Sequence, residues 1–169
     1  MRLSSVALVE GDDANGIEDG EEVTLKNWGN VKVSKVDRDA RGKATGLTGE
    51  FIPDGDVKAT KKKITWLAKV PDLVPMVLAE FDYLVTKDKI EDGENFKDFL
   101  TKKTRAETDA LGDPGLRNLK EGDVIQLERR GFFRVDKPYR GSSKPLVLFM
   151  IPDGKTKAMS TLSSALDHV

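Results

Sequence analysis

Residues 123–139 read DVIQLERRGFFRVDKPY, and the fold follows from how that stretch is read. Residues 123–128 alternate polar and apolar side chains with a period of two, as a half-buried strand does. Residues 131–135 (GFFRV) resume the extended pattern after a tight turn. On an extended strand Gln126, Glu128 and Arg130 share one face, while Val124, Ile125, Leu127, Phe132 and Phe133 supply apolar anchoring. Gln and Arg are suited to reading base edges, because each makes two-pronged hydrogen bonds. Unpaired RNA bases are held by such groups and stacked on aromatic or guanidinium planes. Taken alone, Gln126 and Arg129 fit a plain solvent-facing strand edge somewhat better than a base-reading site.

Working outward, strand signals dominate. Residues 22–26 and 31–36 are short β-prone runs broken at Asn27-Trp28-Gly29-Asn30, where Gly and Asn tolerate positive φ. Residues 37–43 (DRDARGK) have the composition of a hairpin tip, so 31–36 and 44–52 are expected to pair antiparallel. Residues 63–68 (KITWLA), 74–85 (VPMVLAEFDYLV) and 146–151 (LVLFMI) read as further strands. Between residues 87 and 120 the character changes. Phe96, Phe99 and Leu100 fall at helical spacing, polar sequence follows, and Gly112-Asp113-Pro114-Gly115 is a break. Many short strands punctuated by turns argue for closed or sandwiched antiparallel β structure, and the interruption argues for two small units. No internal repeat at a fixed period is evident. The tail from Lys155 is expected to fray.

The length, 169 residues, suits one ordinary domain or two small ones. Apolar residues at 38% and charged residues at 34% fit a modest core with a well-solvated surface. With no cysteine there is no disulfide framework and no thiolate metal site, which suits a reducing compartment. The apolar start at residues 6–9 is too short for a signal peptide or a membrane span. A net charge of -1 conceals segregation: residues 10–22 carry acids and no Lys or Arg. Basic residues bunch at Lys58, Lys61, Lys62 and Lys63, at Lys102, Lys103 and Arg105, and from Arg129 to Lys144. A basic face on a near-neutral chain is compatible with nucleic acid, though each cluster alone reads as ordinary surface. Catalytic chemistry finds no foothold. The single histidine is His168, no phosphate-binding glycine loop occurs, and no carboxylate pair has a positioned partner.

The wording of several segments is nonetheless specific. EEVTLKNWGNVKV (21–33), KKKITWL (61–67), EFDYLV (80–85), GDPGLRNLKEGD (112–123), DVIQLERRGFFRVDKPY (123–139) and SSKPLVLFMIPDG (142–154) resemble, in order, the C-terminal anticodon-binding region of glutamyl-tRNA synthetases. The NWGN turn and the LERRGFF run look more like the eukaryotic cytosolic enzymes than the bacterial ones, whose anticodon domain is helical. The resemblance implies a mainly all-β fold of two small antiparallel β-barrels with a short helical connector. Residues 5–26 with 115–154 would form the proximal barrel, 27–90 the distal barrel, 91–114 the connector and 155–169 a flexible tail.

It also implies a task. Such barrels grip the anticodon loop of tRNA(Glu) while a separate class I catalytic domain binds ATP and glutamate and charges the tRNA. No HIGH-like or convincing KMSKS motif occurs here, so the chain is read as a non-enzymatic, cytoplasmic piece of its parent. That piece carries no metal or cofactor of its own and has neither a membrane nor DNA as partner. In the relatives the Gln and Arg of a Gln-Phe-Glu-Arg run contact the middle anticodon base, a uridine in glutamate and glutamine tRNAs. These positions are Gln126 and Arg129, with Leu127 replacing the aromatic. Lys58, Lys61, Lys62 and Lys63 match, as a group, a loop near the last anticodon base; Asn27 and Arg130 are further candidates. The alternatives are a glutaminyl-tRNA synthetase domain and a β-barrel interaction module that has lost RNA binding.

Overall fold

A computed structural model describes residues 5–153 and divides them into two compact units, one up to Pro71 and one from Asp72. In the first, a helical turn, α1 (Gly11–Asn15), follows strand β1 (Ala7–Val9). Strands β2 (Glu22–Leu25), β3 (Gly29–Arg38), β4 (Ala44–Ile52) and β5 (Lys63–Ile64) form a sheet ordered β4-β3-β2-β5. Strand β6 (Trp66–Ala68) pairs antiparallel with β1. Ile17, Val23, Leu25, Val33 and Ile64 make the core. A bulge between Val33 and Lys35 resets the alternation of β3, so that Val36 returns to the core side. The imperfect period of 31–36 in the sequence has this cause.

In the second unit β7 (Val74–Phe81), β8 (Arg105–Gly112), β9 (Val124–Leu127), β10 (Gly131–Lys137) and β11 (Leu146–Met150) form one sheet, ordered β8-β7-β11-β10-β9. The central strands β7 and β11 run parallel and the other neighbours antiparallel. Val74, Met76, Leu78, Phe133, Val135, Leu146 and Leu148 form its core. Each such large apolar side chain contributes about 1.5–3 kcal/mol by leaving water.

The mainly β reading holds, with three corrections. The sheets are open, each with two edge strands, so they are not closed barrels. The proposed division of 5–26 with 115–154, and of 27–90, does not match the pairing. Strand β2 lies between β3 and β5, and β7 lies beside β11, because Val23 and Leu25 pack with Val33 and Ile64 whereas Leu78 packs with Leu148. Finally, 91–114 is more than a helical connector. It holds a 3-10 turn, Phe96–Phe99, and then the eight-residue edge strand β8. An edge strand covers the core with few side chains, here chiefly Ala110, so its sequence is polar enough to read as a linker. The tail 155–169 lies outside the described residues.

A repeat unrecognised in the sequence is plain in the structure. Gly20, Leu25, Gly29 and Val33 recur 102 positions later as Gly122, Leu127, Gly131 and Val135. The backbone bonds recur with them. Gly20 N–H donates to the Val33 carbonyl and Val33 N–H to the Glu21 carbonyl, as Gly122 does to Val135 and Val135 to Asp123. The bulge recurs between Val135 and Lys137. Each copy begins with a helical turn, α1 or the 3-10 turn Pro114–Asn118, and ends on a third strand, β4 or β11.

Candidate nucleic-acid interface

Strand β9 stops at Leu127, one residue before the sequence pattern placed its end. Residues 128–130 form the turn into β10: the Arg130 N–H donates to the Leu127 carbonyl at 3.0 Å, and Leu127 pairs with Gly131. Arg129 sits at the third turn position with φ 67, the left-handed region that a type II-like turn requires there. Glu128 and Arg130 therefore do not continue the outward face of Gln126, as a straight strand would have had them. Arg129 and Arg130 instead crown the hairpin, exposed, within four residues of exposed Gln126.

The sheet beneath holds this tip in place. Ile125 and Leu127 pack against the core with buried Phe133, whereas Phe132 points outward, 48% exposed, directly across from Gln126. An amide that can read a base edge and an aromatic face that can stack a base are thus cross-strand neighbours. The sequence reading had placed both phenylalanines among the anchors. Only Phe133 is one, since alternation along β10 sends its neighbour to the opposite face.

The hairpin of the first unit repeats this geometry. The Trp28 N–H donates to the Leu25 carbonyl at 3.1 Å, and Asn27 takes φ 63 at the position equivalent to Arg129. Asn27 is exposed at that tip. Trp28 stacks on Phe51, with centroids 5.0 Å apart and planes 10° apart, and lies 5.1 Å from Trp66.

The four lysines lie in the segment entering β5, but they are not equivalent. Lys58 and Lys61 are exposed. Lys63 is exposed and its ammonium donates to the Thr60 carbonyl and hydroxyl at 2.5 Å each. Lys62 turns inward, donating to the Glu21 carboxylate at 2.6 Å and to the Gly16 carbonyl. That ammonium holds the Glu21 carboxyl below the usual glutamate range. Beneath the segment, Asn30 is fully buried. It accepts from the Thr24 hydroxyl at 2.8 Å and donates to Glu22 at 2.6 Å, while Thr24 and Thr60 share a 2.5 Å hydrogen bond. The loop before β5 is thereby fastened to β2 and β3. No spacing rule in the sequence points to Asn30; its place opposite Thr24 in the ladder makes it the anchor.

Two family models, each described as the anticodon-binding domain of class I (E and Q) tRNA synthetases, match residues 1–52 and 63–136. The chain belongs to this family of anticodon-binding domains. It is 52% identical over 149 residues to a probable cytoplasmic glutamate–tRNA ligase of Schizosaccharomyces pombe, covering 88% of this chain and 20% of the relative. It is 53% identical over 147 residues to the cytoplasmic glutamate–tRNA ligase of Arabidopsis thaliana, covering 87% and 20%. Against the bifunctional glutamate/proline–tRNA ligase of Mus musculus the identity is 41% over 170 residues, covering 95% and 11%. The chain thus spans about a fifth of the length of the cytoplasmic ligases it matches. The family matches take in both hairpins of the anticodon-binding domain and its β5 from Lys63 onward, and leave residues 53–62 between them. Among the described residues no helix is long and apolar enough to cross a membrane.

Proposed function

We propose that this domain belongs to a cytoplasmic glutamate–tRNA ligase and grips the anticodon loop of tRNA(Glu) for a catalytic domain elsewhere in the parent, where ATP and glutamate would bind. The observation that carries the reading is the hairpin of β9 and β10, with Gln126 directly across from outward-facing Phe132 and Arg129 exposed at the crown. Gln126 and Arg129 read the edge of the middle anticodon base, Phe132 offers it a face, and Arg130 steadies the adjoining backbone. Lys58, Lys61 and Lys63 meet phosphates near the last anticodon base, with Lys62 keeping their loop in place and Asn27 contacting the RNA from the other hairpin. Similarity to ligases named for glutamate supports the amino-acid assignment over glutamine.

A positioned two-pronged contact is worth about 1–3 kcal/mol of discrimination. In the full-length parent, Arg129→Ala should therefore lower charging of tRNA(Glu) by roughly ten- to a hundredfold. The loss should fall on tRNAs with uridine at the middle anticodon position and spare variants altered only there. Equal losses on every variant would reject base reading in favour of a backbone contact. Charging of glutamine rather than glutamate would reject the amino-acid assignment.

A further inference from the structure

The aromatic stack of the first unit has no counterpart in the second, although the two hairpins are copies. By register, Trp28 corresponds to Arg130 and Phe51 to Met150: Phe51 lies opposite Val31, and Met150 lies opposite Phe133, the counterpart of Val31. The same turn closes in the second unit with an arginine and a methionine. Closing the hairpin therefore does not demand two stacked rings.

The rings are also held ready and left open. The Trp66 indole N–H donates to the Lys26 carbonyl at 2.9 Å, which fixes the third ring under the turn. Gly29 leaves room for Phe51, since a Cβ there would stand 2.7 Å from its ring. Trp28 and Phe51 nevertheless remain 38% and 44% exposed. Lys26 adjoins the turn and Lys63 lies across β2 from Asn30, while Lys32 faces Glu22 and Glu50 across the sheet and Lys35 pairs with Asp37. An exposed aromatic pair, with Lys26 at the turn and Lys63 near it, suits a flat, uncharged ring attached to a polyanion.

We propose that Trp28 and Phe51 form a stacking site for an unpaired nucleobase of the bound RNA, making the first hairpin a second RNA-contacting tip. This inference rests on the anticodon-binding reading, and goes beyond it by assigning a base-stacking role to a pair outside the Gln126–Arg129 hairpin. Preorganisation matters energetically, because the two rings already stand stacked before a base arrives and less ordering remains to be supplied on binding.

The chain's two tryptophans make the test direct. Titrating the whole chain with an anticodon stem-loop RNA should quench tryptophan emission. Trp28→Phe should abolish most of the quench, and Trp66→Phe should retain it. Phe51→Leu, with folding checked by circular dichroism, should weaken binding roughly five- to a hundredfold. That loss should vanish against a stem-loop made abasic at the one loop position that stacks. If wild type binds while Trp28→Phe quenches as wild type does and Phe51→Leu binds as wild type does, the stacking site is wrong and the anticodon-binding reading stands. A Phe51→Leu loss that persists equally against every abasic stem-loop assigns the pair a structural role and also overturns the proposal. No binding of the stem-loop by wild type, even at low salt, overturns both.

Discussion

Arg129 is pulled in two directions by its position. The turn from β9 to β10 requires a left-handed backbone at that residue, which glycine adopts freely and a side chain adopts at a cost of roughly 1–2 kcal/mol. Keeping arginine there trades stability for a guanidinium at the crown of the hairpin. Arg129→Gly should therefore melt no lower than wild type yet lose the preference for uridine at the middle anticodon base. Arg129→Val should lose the same preference and also melt lower, since a β-branched residue is strained in that conformation. Paired thermal melts and charging assays on middle-base variants check both; a lower melt for Arg129→Gly would mean that the side chain holds the hairpin together. Asn30 presents the opposite case, a polar residue retained entirely for its hydrogen bonds. Asn30→Leu leaves Thr24 and Glu22 without that partner and should destabilise the first unit by about 1–3 kcal/mol. Denaturant unfolding would measure it, and a change within a few tenths would show that the network is dispensable.

At the scale of elements, the approach to β5 is tied to the turn before β2 through Lys62 and Glu21. The folded state holds the Glu21 carboxyl below its ordinary range chiefly through the hydrogen bond from Lys62. A depressed carboxyl stabilises the fold at pH values above its unfolded pKa, about 4.3. That stabilisation is lost as pH falls through the lower, folded pKa. Thermal melts should accordingly show wild type losing more stability than Lys62→Met between about pH 5 and pH 2.5, with the gap between them closing at the acid end. Parallel curves would remove the ion pair from the account. The pairing of β3 with β4 makes a steric demand as well. A Cβ at Gly49 would sit 2.8 Å from the Lys32 carbonyl oxygen and 2.7 Å from a Val31 methyl. Gly49→Ala should cost about 1–3 kcal/mol of stability, read by denaturant unfolding, and a neutral result would mean that the two strands separate easily.

For the whole molecule, a net charge of -1 means that affinity for RNA has to come from where the lysines are placed. Each phosphate neutralised on a single strand contributes roughly 0.7 to the slope of log affinity against log salt. Replacing Lys58, Lys61 and Lys63 together by alanine should flatten that slope by up to about 2, for cognate and non-cognate RNA alike. Fluorescence titrations at several salt concentrations would measure it. An unchanged slope places the phosphate contacts elsewhere, and a loss confined to one base at the last anticodon position would mean that these lysines read sequence. Lys62 is left out of that set because its ammonium is engaged inside the unit.

The sequence by itself determined the β class, most strand positions and the two turns that carry Asn27 and Arg129, because those depend on local alternation and turn chemistry. DVIQLERRGFFRV shows its strands through period-two patterning, and LKNWG and LERRG show their turns through the glycine that follows each tip. Pairing between distant strands left no such local mark. Whether β2 lies against β5 or β7 against β11 is decided by which apolar faces pack together, and parallel neighbours need not be close in sequence. The same holds for the edge strand β8, too polar to look like a strand, and for Lys62, whose neighbours in the sequence face solvent while it turns toward Glu21. Trp28 and Phe51 are ordinary strand-and-turn residues when read in line. Only the β3–β4 register, which lays one ring on the other beside a glycine, makes them a surface that could hold a base.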